Sequence, residues 1–348
     1  MINSLAAETP DPARPTLAVI ASHAGVSTAT VSKVLNGRPD VSADTRARVS
    51  AVLREHDYRP VGLRASSERR AVDVVFDDLS SPYSAAVLAG ALDAGVESGV
   101  TVVARRYSDE TDAGWAARVR ARECIGYVVV SAVLTPTQAD VFDVPGVPLV
   151  VIDAVGLPRR NLMSVGATNF TGGFTATEHL IQLGHRRIAH LGGTMAMACH
   201  VARLHGYRAA LERAGIPVDS SLIANLEGDY EAGVEQGRAW LGRPDSPTAV
   251  FAGFDLFALG VIEAARARSL RVPGDVSVVG FDDSYAAQWS SPPLTTVRQP
   301  LRELGALALR RLLQRAAGEE MGSHHIELAT HLVVRTSTAP PSDPGTRP

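Results

Sequence analysis

Cysteine is scarce in this chain of 348 residues, since Cys124 and Cys199 are the only two and neither belongs to a C-x-x-C pair. Two plain thiols so far apart indicate a reducing cytosol. No apolar stretch reaches the roughly 18 residues that a transmembrane helix needs. The N-terminus "MINSLAAETPDPARP" lacks the basic start and apolar run of a secretory signal. These absences predict a cytoplasmic protein without a membrane partner.

Lysine is also nearly absent, because Lys33 is the only lysine among 34 basic residues. The formal net charge of -3 is unevenly distributed. Residues 1–70 carry ten basic and seven acidic residues, whereas the remainder carries 24 and 30. A mildly basic head on an acidic body suits a head that binds a polyanion. The length favours two or three domains, and 45% hydrophobic with 20% charged residues is typical of a globular protein.

The residue pattern divides the chain into a helical head and an α/β body. Residues 1–15 form a Pro- and Ala-rich leader, for which we expect disorder. Residues 16–60 predict three helices, at Leu17 to His23, Ser27 to Asn36 and Ser42 to Asp57. A polar hinge, 61–71, leads to a body at 72–338, and a tail occupies 339–348.

The body alternates Val-rich strands with helices. Predicted strands lie at 72–76, 100–106, 126–131, 148–153, 187–193, 248–253 and 276–281. Helices are predicted at 82–98, 171–183, 201–214 and 255–268, and the apolar stripe of 301–318 favours either a core or a dimer interface. This alternation in two series predicts two α/β lobes with parallel sheets. Ligands of such sheets bind beyond the carboxyl ends of the strands, so we expect a site between the lobes.

The segment Ser27 to Asn36 is two-faced when placed on a helical wheel. One arc holds Thr28, Ala29, Ser32, Lys33 and Asn36, and the opposite arc holds Thr30, Val31, Val34 and Leu35. Gly25 permits a sharp turn before it, and Ser27 can cap its start. A small polar face with one cation suits a recognition helix in the DNA major groove. An amphipathic surface helix of a small bundle would show the same two faces.

The head carries a longer signature. "AGVSTATVSKVLN", "VSADTR" and "YRP" resemble the N-terminal helix-turn-helix of the LacI/GalR family of bacterial transcription regulators. The resemblance continues through "SVGATNFTGGFTATEHLIQLGHRRIAHLGG", "VPGDVSVVGFDD" and "PPLTTVRQPLRELG", and it covers Thr16 to about Ser337. It implies a periplasmic-binding-protein-like body with lobes at about 72–168 with 298–325 and about 169–297 with 326–338. It further implies a homodimer that binds a palindromic double-stranded DNA operator and is controlled by a small effector between its lobes.

The resemblance assigns DNA contacts by position. Base-reading positions fall on Thr28, Ala29 and Lys33, while Ser27, Thr30, Ser32 and Asn36 would bind the backbone or brace the helix. Thr16 and Arg64 complete the set. Lys33 can donate to guanine but lacks the planar fork of Arg.

The hinge departs from the family pattern. The position of the family's minor-groove leucine falls on Ser67. Leu63 is either a substitute wedge or a solvated or interface leucine. Arg64, Arg69 and Arg70 could contact phosphate or a narrow groove.

The effector site is predicted from polar and aromatic residues after strands or at helix starts. They are Asp77, Tyr83, Asn169, Phe170, Arg203, Tyr230, Phe254, Asp255 and Asp282. Carboxylates, Asn and Arg bind vicinal hydroxyls, and an aromatic face covers a sugar ring, so a sugar is the expected effector. Phe254 replaces a small or amide residue, so that it could narrow the pocket or stack on the ligand. Trp289 lies either near the cleft or in the core or an interface.

Other patterns are not catalytic. Neighbouring residues at a strand end point in different directions, so Asp282 and Asp283 are interpreted as a ligand-binding and a structural residue rather than an acid/base pair. The histidines lack metal-ligand spacing, and we expect neither a metal nor a cofactor. A ligand-controlled regulator, expected to repress carbohydrate uptake or catabolism genes, is therefore favoured. The alternatives are a sugar-binding transport protein, which shares the body but needs a signal peptide, and a sugar enzyme, which needs a nucleophile or phosphate loop.

Overall fold

The computed structural model describes residues 16–35, 41–56, 71–106, 124–130, 141–142, 146–153 and 162–342. The chain divides into two compact units, Met1–Arg69 and Arg70–Pro348, which we call the head and the body. No helix of the described ranges combines the length and apolarity that crossing a bilayer requires.

The described part of the head consists of helices α1 (Leu17–Ala24), α2 (Thr28–Leu35) and α3 (Ala43–Glu55). Apolar side chains from all three helices form one small core, made by Ile20, Ala21, Ala24, Val31, Val34 and Val49. Val31 and Val34, which the helical wheel placed on one arc of α2, both face this core, and Val31 is fully buried. The three-helix head expected from the sequence is therefore present.

Local caps fix the turn between α1 and α2. Thr16 accepts a hydrogen bond from the Val19 amide at the start of α1 (3.4 Å). Gly25 ends α1 with φ of 63°, in the left-handed region that glycine adopts without strain. The Ser27 hydroxyl accepts from the Thr30 amide at 3.1 Å and so caps α2. The roles expected for Gly25 and Ser27 in shaping this turn are confirmed.

The body contains two parallel sheets covered by helices. The strands are β1 (Ala71–Phe76), β2 (Thr101–Arg106), β3 (Gly126–Val130), β4 (Leu149–Ile152), β5 (Met163–Ala167), β6 (Ile188–Gly192), β7 (Ile223–Asn225), β8 (Ala249–Ala252), β9 (Ser277–Asp282), β10 (Thr295–Arg298), β11 (His325–Leu328) and β12 (His331–Val333). The helices are α4 (Pro82–Ser98), α5 (Asn169–Gln182), α6 (Ala198–Arg213), α7 (Tyr230–Leu241), α8 (Asp255–Ala267), α9 (Tyr285–Trp289) and α10 (Leu301–Ala316), and Ser220–Leu222 forms a 3₁₀ turn.

The first sheet has the strand order β11-β5-β4-β3-β1-β2, and its pairs are all parallel. With α4 and α10 it forms the first lobe. The second sheet has the order β12-β10-β9-β8-β6-β7 and is parallel except for β12, which pairs antiparallel with β10. With α5 to α9 it forms the second lobe. The chain passes between the sheets after β5, β10 and β11, so each lobe is built from separate stretches of sequence.

The apolar stripe of α10 lies in the core of the first lobe. Leu304, Ala308, Leu309 and Leu312 are fully buried there with the valines of β1, β3 and β4. Of the two roles that the sequence left open for this helix, the core role is thus observed. The α/β fold with two parallel sheets is confirmed, although β5, β7, β10, β11, β12, α7 and α9 were not among the predicted elements.

Candidate functional site

A cavity of about 490 Å³ lies between the lobes, at the carboxyl ends of the parallel strands. Carboxylates from both sheets line it: Asp77 follows β1, Asp153 follows β4, Asp255 follows β8, and Asp282 ends β9. Because the strands of each lobe run in parallel, residues that are distant in sequence converge at one edge. We call this cavity the cleft.

Six of the nine predicted effector residues line the cleft. They are Asp77, Tyr83, Arg203, Phe254, Asp255 and Asp282. Tyr83 belongs to the first turn of α4, and Asp255 begins α8 directly after Phe254. Asp77, Phe254, Asp255 and Asp282 reach the cleft from the ends of strands or the first turn of the next helix, whereas Arg203 reaches it from the second turn of α6.

The other three predicted residues are not among those lining the cleft. Asn169 is buried behind it and holds Arg203. Phe170 is 48% exposed on α5. Tyr230 begins α7, but its predecessors Gly228 and Asp229 are the residues that line the cleft.

Trp289 is 80% exposed on α9 and lies outside the cleft lining. Its ring stacks on Tyr285, with centroids 5.6 Å apart. Tyr285 is itself 69% exposed. The core location that the sequence left open for Trp289 is therefore wrong, because neither aromatic ring is buried.

Arg203, on α6, is nearly fully buried and tightly held. Its Nε donates to Asn169 Oδ1 (2.8 Å), and one terminal nitrogen donates to the Gly253 carbonyl (2.6 Å). The guanidinium carbon lies 3.8 Å from the centroid of the Phe281 ring. Close packing of α5 on α6 fixes this position, since a Cβ on Gly173 would lie 2.3 Å from the Arg203 carbonyl oxygen. The guanidinium is thus oriented before any ligand binds.

Asp282 and Asp283 have different environments. Asp282 accepts from Gln299 Nε2 at 2.6 Å and lines the cleft. Asp283 accepts from Arg298 (2.5 Å) and from Arg335 (2.6 Å). The expected division into one cleft-facing and one structural carboxylate matches this geometry.

The electrostatics of Asp282 favour its protonated form. Burial raises the pKa of Asp282 to about 7, against the lowering effect of Arg203, and the charge of Asp255 raises it further. At neutral pH this carboxyl can donate or accept a hydrogen bond, which suits the hydroxyl groups of a polyol.

Asp255 is held by two donors. Its Oδ1 accepts from the Thr296 hydroxyl (2.6 Å) and its Oδ2 from the Ser284 amide (2.7 Å). Burial raises the pKa of Asp255 to about 6, and those hydrogen bonds act in the opposite direction. Asp255 therefore ties α8 to β10 and to the start of α9, and it also lines the cleft.

Several cleft residues were not predicted from the sequence, among them Asp153 and His200. Asp153 accepts from the Tyr83 hydroxyl at 2.5 Å, and burial raises its pKa. His200, on α6, packs beside Phe254 with ring centroids 5.9 Å apart. Asp153 is the last residue of the predicted strand 148–153 and directly follows β4, and a carboxylate at the end of a Val-rich strand is a signal that could have identified it. His200 lies eight residues after β6, and no local pattern marks it.

The exposed surface of α2 carries the predicted base-reading residues. Thr28, Ala29 and Lys33 are exposed, and Ser32 is half-buried. Thr30 is half-buried, and its hydroxyl lies 2.9 Å from that of Ser27, so these two brace the start of the helix. Asn36, the hinge residues Leu63, Arg64, Ser67, Arg69 and Arg70, the leader and the last residues of the tail lie outside the described residues.

Comparison with known proteins identifies the two parts of the chain. Residues 16–61 match the family described as bacterial regulatory proteins, lacI family. Residues 177–338 match a periplasmic binding protein-like domain. The first match spans the helical head, and the second covers most of the second lobe.

Relatives extend over nearly the whole chain. HTH-type transcriptional regulator CelR of Thermobifida fusca is 35% identical over 334 residues, which are 93% of this chain and 98% of the relative. HTH-type transcriptional repressor CytR of Escherichia coli K12 is 33% identical over 329 residues, covering 93% and 96%.

Solved structures agree with these relatives. The complex of CelR with cellobiose has a TM-score of 0.72 at 35% identity, with 93% of this chain and all of that chain covered. The lac repressor dimer bound to operator and the anti-inducer ONPF has a TM-score of 0.78 at 29% identity, with 94% and 99% covered. Together with the recognition helix and the cleft, these matches show that the chain belongs to the lacI family of bacterial regulatory proteins and is a ligand-responsive, DNA-binding transcriptional regulator.

Proposed function

We propose that this regulator binds a sugar in the cleft and represses genes for carbohydrate uptake or catabolism. The observation that carries the proposal is the set of directional polar groups around Arg203. Asp282, Asp255 and Asp153 offer carboxyl oxygens, and Arg203 offers N–H donors, which together match adjacent hydroxyls. Phe254 adds an apolar face. The cellobiose bound by CelR, a relative of similar sequence, supports this ligand class.

The DNA-binding part of the proposal assigns base reading to Thr28, Ala29 and Lys33 on the exposed face of α2. A homodimer presents two such helices to a palindromic operator, and the operator-bound dimer of the lac repressor supports this arrangement. Asn36 and Arg64 stay in the proposed DNA-binding set, although they lie outside the described residues.

Ligand control requires a difference in ligand affinity between the states that bind DNA well and poorly. The first lobe supplies Asp77, Tyr83 and Asp153, and the second supplies Arg203 and Asp282. The affinity of a sugar that contacts both sets depends on the relative position of the two lobes. Coupling of this kind changes the affinity of the dimer for its operator.

A thermal-shift screen of the full chain against neutral sugars, including cellobiose and ribose, tests the proposal. A sugar at a hundred times its dissociation constant should stabilise the protein by about 2.7 kcal/mol. The same sugar should change the affinity for a duplex selected from a random pool. If no sugar of the panel stabilises the protein, the proposed ligand class is refuted. If the selected DNA site lacks two-fold symmetry, binding of a dimer to a palindromic operator is refuted.

Arg203→Met tests whether the thermal response comes from binding in the cleft. It removes the guanidinium but keeps an unbranched side chain on α6. We expect the thermal response to the active sugar to disappear while the ligand-free variant still binds the selected duplex. A retained thermal response would contradict the assignment of Arg203 to the site.

A further inference from the structure

The cleft contains many more carboxylates than cations. Among the described residues that line it, the acidic ones are Asp77, Asp78, Asp153, Asp229, Asp255 and Asp282. Arg203 is the one arginine or lysine of that lining, and Asn169, the Gly253 carbonyl and the Phe281 ring already occupy much of its guanidinium. Asp282 is partly protonated near neutral pH, and an added anion would be repelled at short range by the carboxylates that remain charged in this partly desolvated site.

Helix N-termini bind anions in many proteins, and several helices begin at this cleft. The chain itself already supplies acceptors or a carboxylate at several of these helix starts. Ser81 caps α4 by accepting from the Ser84 amide (3.1 Å), and Asp229 caps α7 by accepting from the Glu231 amide (3.3 Å). Asp255 places a carboxylate in the first turn of α8. At α6, the amides of His200 and Val201 are bonded to the Met197 carbonyl. Part of the anion-binding capacity of these helix starts is therefore used within the chain.

One side of the cleft is aromatic. Phe254 stacks on Phe257 with ring centroids 3.9 Å apart, and His200 packs against Phe254. Burial, together with the charge of Arg203, lowers the pKa of His200 to about 3, so its ring is neutral near pH 7. Its Nδ1 has no hydrogen-bond partner among the described residues. We call Phe254 and His200 the aromatic wall, which offers an uncharged face and an imidazole.

We propose that the cleft selects an uncharged sugar ring, stacked on the aromatic wall, and rejects phosphorylated and other anionic sugars. This inference rests on the proposed function and narrows its ligand class. The apolar C–H face of a pyranose covers an aromatic ring favourably. Its hydroxyls bond to carboxyl groups and to Arg203, whereas a phosphate dianion would add two charges to an acidic cleft with one arginine.

Matched pairs of a neutral sugar and its phosphate ester test the charge selection. The pairs are glucose with glucose 6-phosphate, ribose with ribose 5-phosphate, and trehalose with trehalose 6-phosphate. Each compound is added to the full chain in a thermal-shift assay, and cellobiose serves as an additional neutral probe. We expect neutral members alone to raise the melting temperature. A larger shift by a phosphate ester would overturn this inference but leave a sugar-responsive regulator. A protein that responds to neither a neutral sugar nor an ester contradicts both proposals.

Variants of the aromatic wall test the stacking, with the active neutral sugar as the titrant in calorimetry. Phe254→Ala and His200→Ala should each raise the dissociation constant by roughly two- to tenfold, the range expected for losing one aromatic contact. The control is Phe174→Ala, because Phe174 is a half-buried phenylalanine of α5 that lies outside the cleft lining and faces Arg213 at 5.6 Å. Dissociation constants unchanged in both wall variants, or equally raised by the control, would refute the wall.

Discussion

The carboxyl group of Asp282 should destabilise the ligand-free protein at alkaline pH. Burial raises the pKa of Asp282 from an ordinary value near 3.8 to about 7. Because the folded state binds this proton more tightly than the unfolded state, the group favours folding at low pH. That contribution is lost progressively as the pH rises from the unfolded pKa near 3.8 to the folded pKa of about 7. The isosteric variant Asp282→Asn removes the ionisation, and its amide oxygen can still accept the hydrogen bond from Gln299.

The magnitude follows from the size of the pKa shift. A shift of about three units corresponds to an upper limit of about 4 kcal/mol, at 1.36 kcal/mol per unit. Asp255 shares in the titration, which reduces the part that belongs to Asp282 alone. We therefore expect Asp282→Asn to raise the free energy of unfolding by about 2 kcal/mol at pH 8.5. At pH 5 the difference from the parent should be smaller, because the penalty for ionising the buried carboxyl accumulates between the unfolded pKa near 3.8 and the folded pKa of about 7.

Urea unfolding of the ligand-free chain at pH 5 and pH 8.5 measures this difference. Asp283→Asn is the matched control, since its carboxylate is almost fully buried and ion-paired with Arg298 and Arg335. Removing one partner of such a buried pair costs about 3–5 kcal/mol, so the control should be destabilised at pH 8.5. The two adjacent substitutions should thus change the free energy of unfolding at pH 8.5 in opposite directions. If Asp282→Asn is no more stable than the parent at pH 8.5, the reasoning from burial is wrong.

Two further predictions concern the head and the packing beneath Arg203. Lys33→Ala should relax base preference at one operator position, as measured by selection from a random duplex pool, and an unchanged preference would remove Lys33 from the base-reading set. Gly173→Ala should destabilise the body by about 1–3 kcal/mol, because its Cβ would meet the Arg203 backbone at 2.3 Å. Sugar affinity should fall with it, and an unchanged melting temperature would show that α5 and α6 tolerate the added methyl group.

Much of the fold was predictable because its signals are local. The two faces of α2 follow from eight residues, and the Val-rich strands β1, β3, β4 and β9 are buried throughout or nearly so. The strand β5, with the sequence "MSVGA", contains Gly166 and Ser164 and gives a weaker signal, although all five residues are buried. The strands β11 and β12 are short and largely exposed or half-buried. Their place in the sheets depends on tertiary pairing, which no local pattern encodes.

The candidate site likewise contains residues that a local sequence pattern predicts and residues that depend on tertiary packing. The rule that cleft residues follow strands found Asp77, Asp255 and Asp282. It failed at Tyr230, because the residues that line the cleft there are Gly228 and Asp229, and Asp229 caps α7. His200 enters the cleft through the orientation of α6, which depends on how that helix packs against α5. Such an orientation becomes visible only in three dimensions.

The pH-dependent destabilisation by Asp282 and the charge selection of the cleft have one physical origin. A structural carboxylate such as Asp283 receives two arginines, and its charge is compensated within the fold. Asp282 and Asp153 instead receive neutral donors, from Gln299 and Tyr83, and share the field of one arginine. Both carboxyl groups line the cleft, where a ligand can add hydroxyl groups to these donors. Because Asp153 belongs to the first lobe and Asp282 to the second, a neutral polyol that satisfies both couples the lobes without adding charge. An anion would meet the same carboxylates as a repulsive field, so the features that destabilise the empty cleft also define which ligands can fill it.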